Sequence, residues 1–189
     1  MKITLIRHAE VDISKYSLAY AYELKEWLDI YNNAEIKKHF VSKDEIAKIF
    51  DSTNKIFCSQ LKRSADSVLL YERDIDEKYE LFNEAGLPNA DWGLVKLPLV
   101  MWASVFRVMW LFGYQHNGES LSQAKARASR ATDLLVESAK KDNSITLLGH
   151  GLMNRLIARE LVKRGWSSQN KMGSDNWDYG VFISSASSV

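Results

Sequence analysis

The stretch ITLLGHGLMNRLIARELVKR at 145–164 decides the fold. Its first four residues form an apolar run of strand length, and Gly149-His150-Gly151 is a permissive turn. Leu152, Leu156, Ile157 and Leu161 then recur at helical spacing on one side of the segment that follows. Strand, short loop and amphipathic helix make up the repeating unit of an α/β protein, in which helices cover a mostly parallel sheet. The same punctuation recurs outward from this stretch. Ile3–Ile6, Lys55–Cys58, Glu77–Phe82 and Tyr179–Ser184 read as further strands. Leu121, Ala124, Ala128, Ala131, Leu134 and Leu135 form the buried stripe of a helix that Ser120 and Gln123 open as a capping box. Helices are also expected around Leu24–Tyr31 and Lys43–Phe50, with Ser42 and Glu45 as a second capping box. The tail SSASSV at 184–189 is low in complexity and expected to fray.

A chain of 189 residues, 46% hydrophobic and 26% charged, suits one domain over 1–189 with a sizeable core. Twenty-five Lys and Arg against 24 Asp and Glu give a net charge of +1, so nothing marks a nucleic-acid partner or an anionic membrane. An anionic substrate must therefore be held by local charge. Cys58, the single cysteine, excludes an intrachain disulfide and a Cys-rich zinc site. It fits a reducing compartment, and the apolar run of MKITLIRHAE is too short for a signal peptide. The cytoplasm is the expected location.

Leu97–Tyr114 (LPLVMWASVFRVMWLFGY) breaks the pattern, with Arg107 as its only charge. It reaches the length at which a membrane helix must be considered. Arg107 near its middle would cost about 2.5–3.5 kcal/mol on insertion scales. A span would also put Arg7-His8 and Gly149-His150-Gly151 on opposite sides of a bilayer. No membrane span is therefore expected. A helix apolar on every side is otherwise buried, so the insertion around 87–116 reads as a lid over the strand ends or as a subunit contact.

Open α/β sheets bind ligands at the carboxyl ends of their strands. Arg7, His8 and Glu10 follow the first strand, Ser59 to Arg63 the second, Asn83 and Glu84 the third, and Gly149 to Gly151 the fourth. Two histidines, two arginines and a carboxylate thus reach one sheet edge. Guanidinium forks match phosphate oxygens, a neutral histidine is a nucleophile, and a carboxylic acid can protonate a leaving alkoxide. Arg63 in the first turn of a helix opening at Ser59 opposes the helix dipole, which implies an anion beside it. The turn at His150 and Gly151 precedes another helix N-terminus suited to phosphate.

Rival chemistries fail on spacing. Cys58 and Arg63 are separated by four residues where the cysteine-phosphatase loop needs five, and Asp74-Ile75-Asp76 follows no strand. The four histidines, His39 and His116 among them, show no metal-ligand spacing. Glu80 and Glu119 compete with Glu84 for the acid role. Glu10, Asn117–Ser120 and His116 either orient the site or cap turns, and Trp27, Tyr31, Trp102, Phe106 and Trp110 are candidate aromatic walls, with core packing the alternative.

At these residues the sequence resembles the histidine phosphatase superfamily, which includes the phosphoglycerate mutases. The resemblance rests on LIRHAE at 5–10, SQLKRSADS at 59–67, NEAG at 83–86, NGES at 117–120 and LLGHG at 147–151. It implies a three-layer α/β/α sandwich, no metal and no cofactor. Carried over, His8 matches the phosphorylated nucleophile, Arg7 and Arg63 the phosphate-binding arginines, His150 the second histidine on the phosphoryl group, and Glu84 the proton donor. Gly151 joins the phosphate-binding set; Glu10, Trp102 and His116 are candidate substrate contacts. The chain departs from the commoner RHG at Ala9, and it places Cys58 where a small residue is usual. Residues 11–40 and 87–116 match no substrate-specific subgroup.

The expected activity is a metal-independent phosphomonoesterase acting through phospho-His8 on a small phosphate ester or a phosphorylated protein. A mutase-type transfer and a catalytically silent phospho-ligand module are the alternatives. The oligomeric state is left open by the sequence.

Overall fold

The computed structural model describes residues 1–37, 44–116 and 118–184. In chain order the strands are β1 (Lys2–Arg7), β2 (Leu18–Ala19), β3 (Lys55–Ser59), β4 (Glu77–Tyr79), β5 (Leu97–Pro98), β6 (Ser144–Gly149), β7 (Ser167–Ser168) and β8 (Tyr179–Ile183). The α-helices are α1 (Leu24–Asn33), α2 (Asp44–Asp51), α3 (Lys62–Leu69), α4 (Leu99–Leu111), α5 (Leu121–Asp142) and α6 (Gly151–Lys163). Six strands form the main sheet in the order β4-β3-β6-β1-β8-β7. β4, β3, β6 and β1 are mutually parallel, and β8 runs antiparallel to β1.

Successive strand side chains point to opposite faces, and both faces are covered. Ile3, Leu5, Phe57, Ile145 and Leu147 pack against Ala128, Leu135, Leu156 and Ile157 of α5 and α6. Ile6, Ile56, Cys58 and Leu148 pack on the other side against Ile46 and Phe50 of α2 and Ala65 and Val68 of α3. The result is the expected three-layer α/β/α arrangement. The Ser120–Gln123 capping box is formed, with Ser120 Oγ accepting from the Gln123 N–H. Ser42, the other capping candidate, and the tail at 185–189 lie outside the described residues.

Three expectations are corrected. The third strand is half as long as its apolar run, because Glu80–Phe82 turns into a single 3-10 turn that buries Phe82. The helix carrying Arg63 begins at Lys62 rather than Ser59. The apolar stretch at 97–114 is not buried all round: β5 pairs with β2, and α4 buries Leu99, Trp102, Phe106 and Trp110 while Met101, Val105, Val108 and Leu111 are exposed. Most of its buried face rests on a third, smaller core with Ala19, Ala21 and Leu24, which cannot surround a helix. Among the described residues no helix is long and apolar enough to cross a membrane.

The turn from β6 into α6 is built without tolerance. A Cβ on Gly149 would stand 2.2 Å from Asn154 Oδ1, and the Asn154 amide is buried and donates to Ile6 O at 3.0 Å, tying α6 to β1. Gly149→Ala is therefore expected to lower stability by about 1–3 kcal/mol through overpacking, read as a fall in the urea midpoint. In the double variant with Asn154→Ala the two losses should sum to less than their separate values; simple additivity would refute the clash.

Candidate active site

The parallel register of β1 and β6 places Arg7 opposite Gly149, so His8 and His150 leave the sheet side by side. Both are buried, with ring centroids 5.0 Å apart. His8 Nδ1 lies 2.6 Å from Ala9 O. A carbonyl only accepts, so Nδ1 carries the proton and Nε2 keeps its lone pair; the Arg63 Nε–H points at that Nε2 from 3.2 Å. His150 Nε2 lies 2.7 Å from Ser59 Oγ, which also accepts the Leu61 N–H. We assign the Ser59 O–H as donor to Nε2, which leaves the His150 proton on Nδ1, buried and without a partner. Burial, then the Arg63 guanidinium, holds His8 well below the usual imidazole value, against the opposing pull of the Ala9 bond. Burial, then His8 and Arg63, does the same for His150. Both rings are thus neutral at neutral pH.

Arg63, second residue of α3, is buried. Its Nη1 donates to Asn32 Oδ1 at 2.7 Å, and its guanidinium lies 4.8 Å from the centre of the Tyr31 ring. Arg7 at the end of β1 donates through Nη1 to Ser174 O, while its Nε is buried with no partner. A Cβ on Gly151 would stand 3.5 Å from that Nε, so α6 begins against this guanidinium.

Glu84 approaches from the third strand's continuation. Its carboxylate accepts the Leu152 and Met153 N–H groups of the first turn of α6, at 3.3 and 3.1 Å, and the Ala85 N–H at 2.9 Å. Arg127 of α5 clamps the segment beneath it, donating to Leu81 O and Asn83 O, and it is itself held by both oxygens of Glu119.

A cleft of about 530 Å³ opens over these groups, lined by Arg7, His8, Arg63 and Glu84, by Trp27, Tyr31 and Leu87, and by Lys15 and Arg107. Other candidates lie outside it. Trp102 is buried in the third core with its indole N–H on Ala19 O, and Phe106 packs beside it. Trp110 donates to Glu119 O. His116 lies against Tyr114 and Asn89 O. Glu10 is paired with Lys15 and Lys37 at the surface, and its contact with Lys15 is its one link to the cleft. Glu80 lines an adjoining groove that shares Asn83, Glu84 and Gly86 with the cleft, and Glu119 is taken by Arg127. His39 and Asn117 lie outside the described residues.

Sequence reasoning missed Lys15, Asn32, Arg127 and the role of Ser59 behind His150. Of these, Ser59 carried a signal as the first residue of SQLKRSADS, and Arg107 carried one as the lone charge in an apolar run. Burial pushes the Cys58 thiol up to about 11, which removes it as a thiolate nucleophile. Among the described residues no three His, Cys, Asp or Glu side chains gather as metal ligands.

Comparison with known proteins agrees with the fold. No curated protein sequence matches the chain. Among solved structures, a functionally characterised open reading frame product of Mycobacterium tuberculosis superposes with a TM-score of 0.60 at 16% identity, covering 98% of this chain and 92% of that one. A mycobacterial glucosyl-3-phosphoglycerate phosphatase gives 0.56 at 15% identity over 95% and 88%. A phosphoserine phosphatase variant from Entamoeba histolytica, in complex with phosphoserine, gives 0.53 at 15% over 96% and 90%. The family profile of the histidine phosphatase superfamily (branch 1) matches residues 42–183, three quarters of the sequence, and the chain belongs to that superfamily.

Proposed function

We propose that the chain is a phosphomonoesterase that works through a phosphohistidine on His8, with residues 87–116 serving as the lid of its cleft. The observation that carries this reading is the state of His8: a buried imidazole whose Nδ1 proton is committed to Ala9 O and whose free Nε2 meets Arg63. The named activities of two fold neighbours, both phosphatases, support the class of reaction.

In the first step Nε2 attacks phosphorus and the bond to the ester oxygen breaks. Arg7 Nε and His150 Nδ1, donors buried without acceptors, and the Arg63 guanidinium take the charge on the equatorial oxygens. Glu84 gives its proton to the departing alcohol. In the second step Glu84 takes a proton from water as its oxygen bonds to phosphorus, the N–P bond breaks, and phosphate leaves. The backbone N–H groups that hold Glu84 keep the acid in one place through both steps.

Incubation with a phosphomonoester should give an acid-labile, base-stable phosphoprotein that His8→Ala abolishes. Labelling that persists in the variant would remove the nucleophile from His8. Glu84→Gln should cost about 10²–10⁴ in kcat/KM on alkyl phosphates and far less on para-nitrophenyl phosphate, whose leaving group needs no proton. Equal losses on both would move the acid elsewhere.

Keeping two imidazoles neutral also sets a pH dependence of stability. Both have folded-state values below 6.5, so between those values and 6.5 the unfolded chain binds more protons. Stability is full above pH 6.5 and falls as the pH drops through this window, by up to about 1.4 kcal/mol per pH unit for each ring. Glu10 and Glu119, held below the usual carboxylate value, act only at lower pH. The urea midpoint should fall from pH 7.5 to 5.5, and His150→Gln should remove about half of that slope; an unchanged slope contradicts the assignment.

A further inference from the structure

Arg107 is a charge that the packing of α4 does not need. It lies mid-helix among apolar residues and reaches the cleft wall with Val100 and Ala103. Nη2 donates to Ala85 O at 3.2 Å and the guanidinium sits 5.1 Å from the Trp110 ring centre, but Nη1 is buried with no acceptor. Arg107 makes no ion pair among the described residues. Burial works against its charge, with Glu84 and Glu119 nearby in its favour. A buried, half-satisfied cation costs more than a methionine or leucine of similar size would.

The other cleft cations are accounted for. Arg7 and Arg63 flank His8, and Lys15 is paired with Glu10 at 2.8 Å. A phosphoryl dianion is matched by the two arginines, which leaves the Arg107 fork over. Its location says what it faces. Arg107 hangs on the carbonyl of Ala85, the residue after Glu84, and Glu84 marks the side from which the alcohol departs.

We propose that Arg107 is the subsite for a second anionic group on the substrate, so that the cleft selects phosphomonoesters whose alcohol carries a carboxylate or a further phosphate. This rests on the phosphatase reading for the side on which the alcohol lies. Leu87, Val100 and Ala103 line the same cleft, so apolar contact is available to the part of the alcohol between the two anions. A guanidinium grips either oxyanion through parallel N–H bonds that a neutral alkyl tail cannot receive. A neutral ester leaves the unpaired N–H of Arg107 as it is in the free protein, so the selectivity comes from the bonds that a charged group adds.

Binding of non-hydrolysable phosphonates to the wild-type protein tests this without turnover. By calorimetry, 4-phosphonobutyrate should bind at least about tenfold more tightly than butylphosphonate, its isostere with an uncharged tail. Arg107→Gln should bring that ratio to near one, and Arg107→Lys should keep part of it. Propane-1,3-bisphosphonate separates the two sources: tighter binding than 4-phosphonobutyrate assigns a phosphate, weaker binding a carboxylate, and either supports an anion subsite. A wild-type protein that does not distinguish acid from isostere overturns the proposal, as does a preference that survives unchanged in Arg107→Gln. Failure of the phosphatase reading shows elsewhere, as absent turnover of para-nitrophenyl phosphate and absent His8 labelling while the binding ratio persists.

Discussion

The site depends on the hydrogen bond from His8 Nδ1 to Ala9 O. His8, His150 and Arg63 are buried with Arg7 beside them, so a second proton on either ring would meet repulsion and desolvation together. The bond commits the one proton of His8 to a carbonyl within its own chain turn. It thereby leaves the lone pair on the other nitrogen without requiring a charged partner. The cations that depress His8 are groups suited to hold a phosphoryl group, so under the proposed mechanism one set of charges both keeps the ring unprotonated and receives the electrophile.

That bond is useful only because the sheet register delivers the second imidazole beside it. Parallel pairing of β1 with β6 runs without a bulge from Lys2 opposite Ser144 to Arg7 opposite Gly149. A slip of one residue would move Ile3 and Leu5 off the α5–α6 face onto the other, so the burial of those side chains specifies the distance between His8 and His150. The hydrophobic core and the chemistry are therefore set by the same pairing. Asn154, bridging α6 to Ile6 O, fixes the helix that supplies donors to Glu84 to the strand that supplies His8.

What the sequence made legible follows from this. Residues directly after strands inherit their positions from the sheet, and period and motif suffice to place Arg7, His8, Arg63 and Glu84 around one opening, with His150 buried beside His8. Groups that reach the cleft away from the strand ends inherit nothing from the sheet: Lys15 comes from a loop and Asn32 from the last turn of α1, neither with a local signature, and Arg127 acts from α5. Trp102 shows the opposite error, an aromatic at helical spacing whose indole N–H is satisfied by Ala19 O in a core of its own. The exposure of Met101, Val105 and Val108 was illegible for a related reason. Hydrophobicity of a segment states what it would prefer, and the number of elements available to cover it is a property of the whole fold.

The groups assigned to the proposed chemistry are held by side chains that do not line the cleft. Ser59 Oγ, oriented by the Leu61 N–H, fixes the His150 ring from its Nε2 side. Arg127 spends its guanidinium on Glu119 and on the carbonyls of Leu81 and Asn83, so the turn bearing Glu84 is pinned by a fork that is itself pinned. The Glu84 carboxylate is held separately, by the N–H groups of Ala85, Leu152 and Met153. Its position is therefore set by the backbone of its own turn and of α6, while Arg127 sets the segment that carries it.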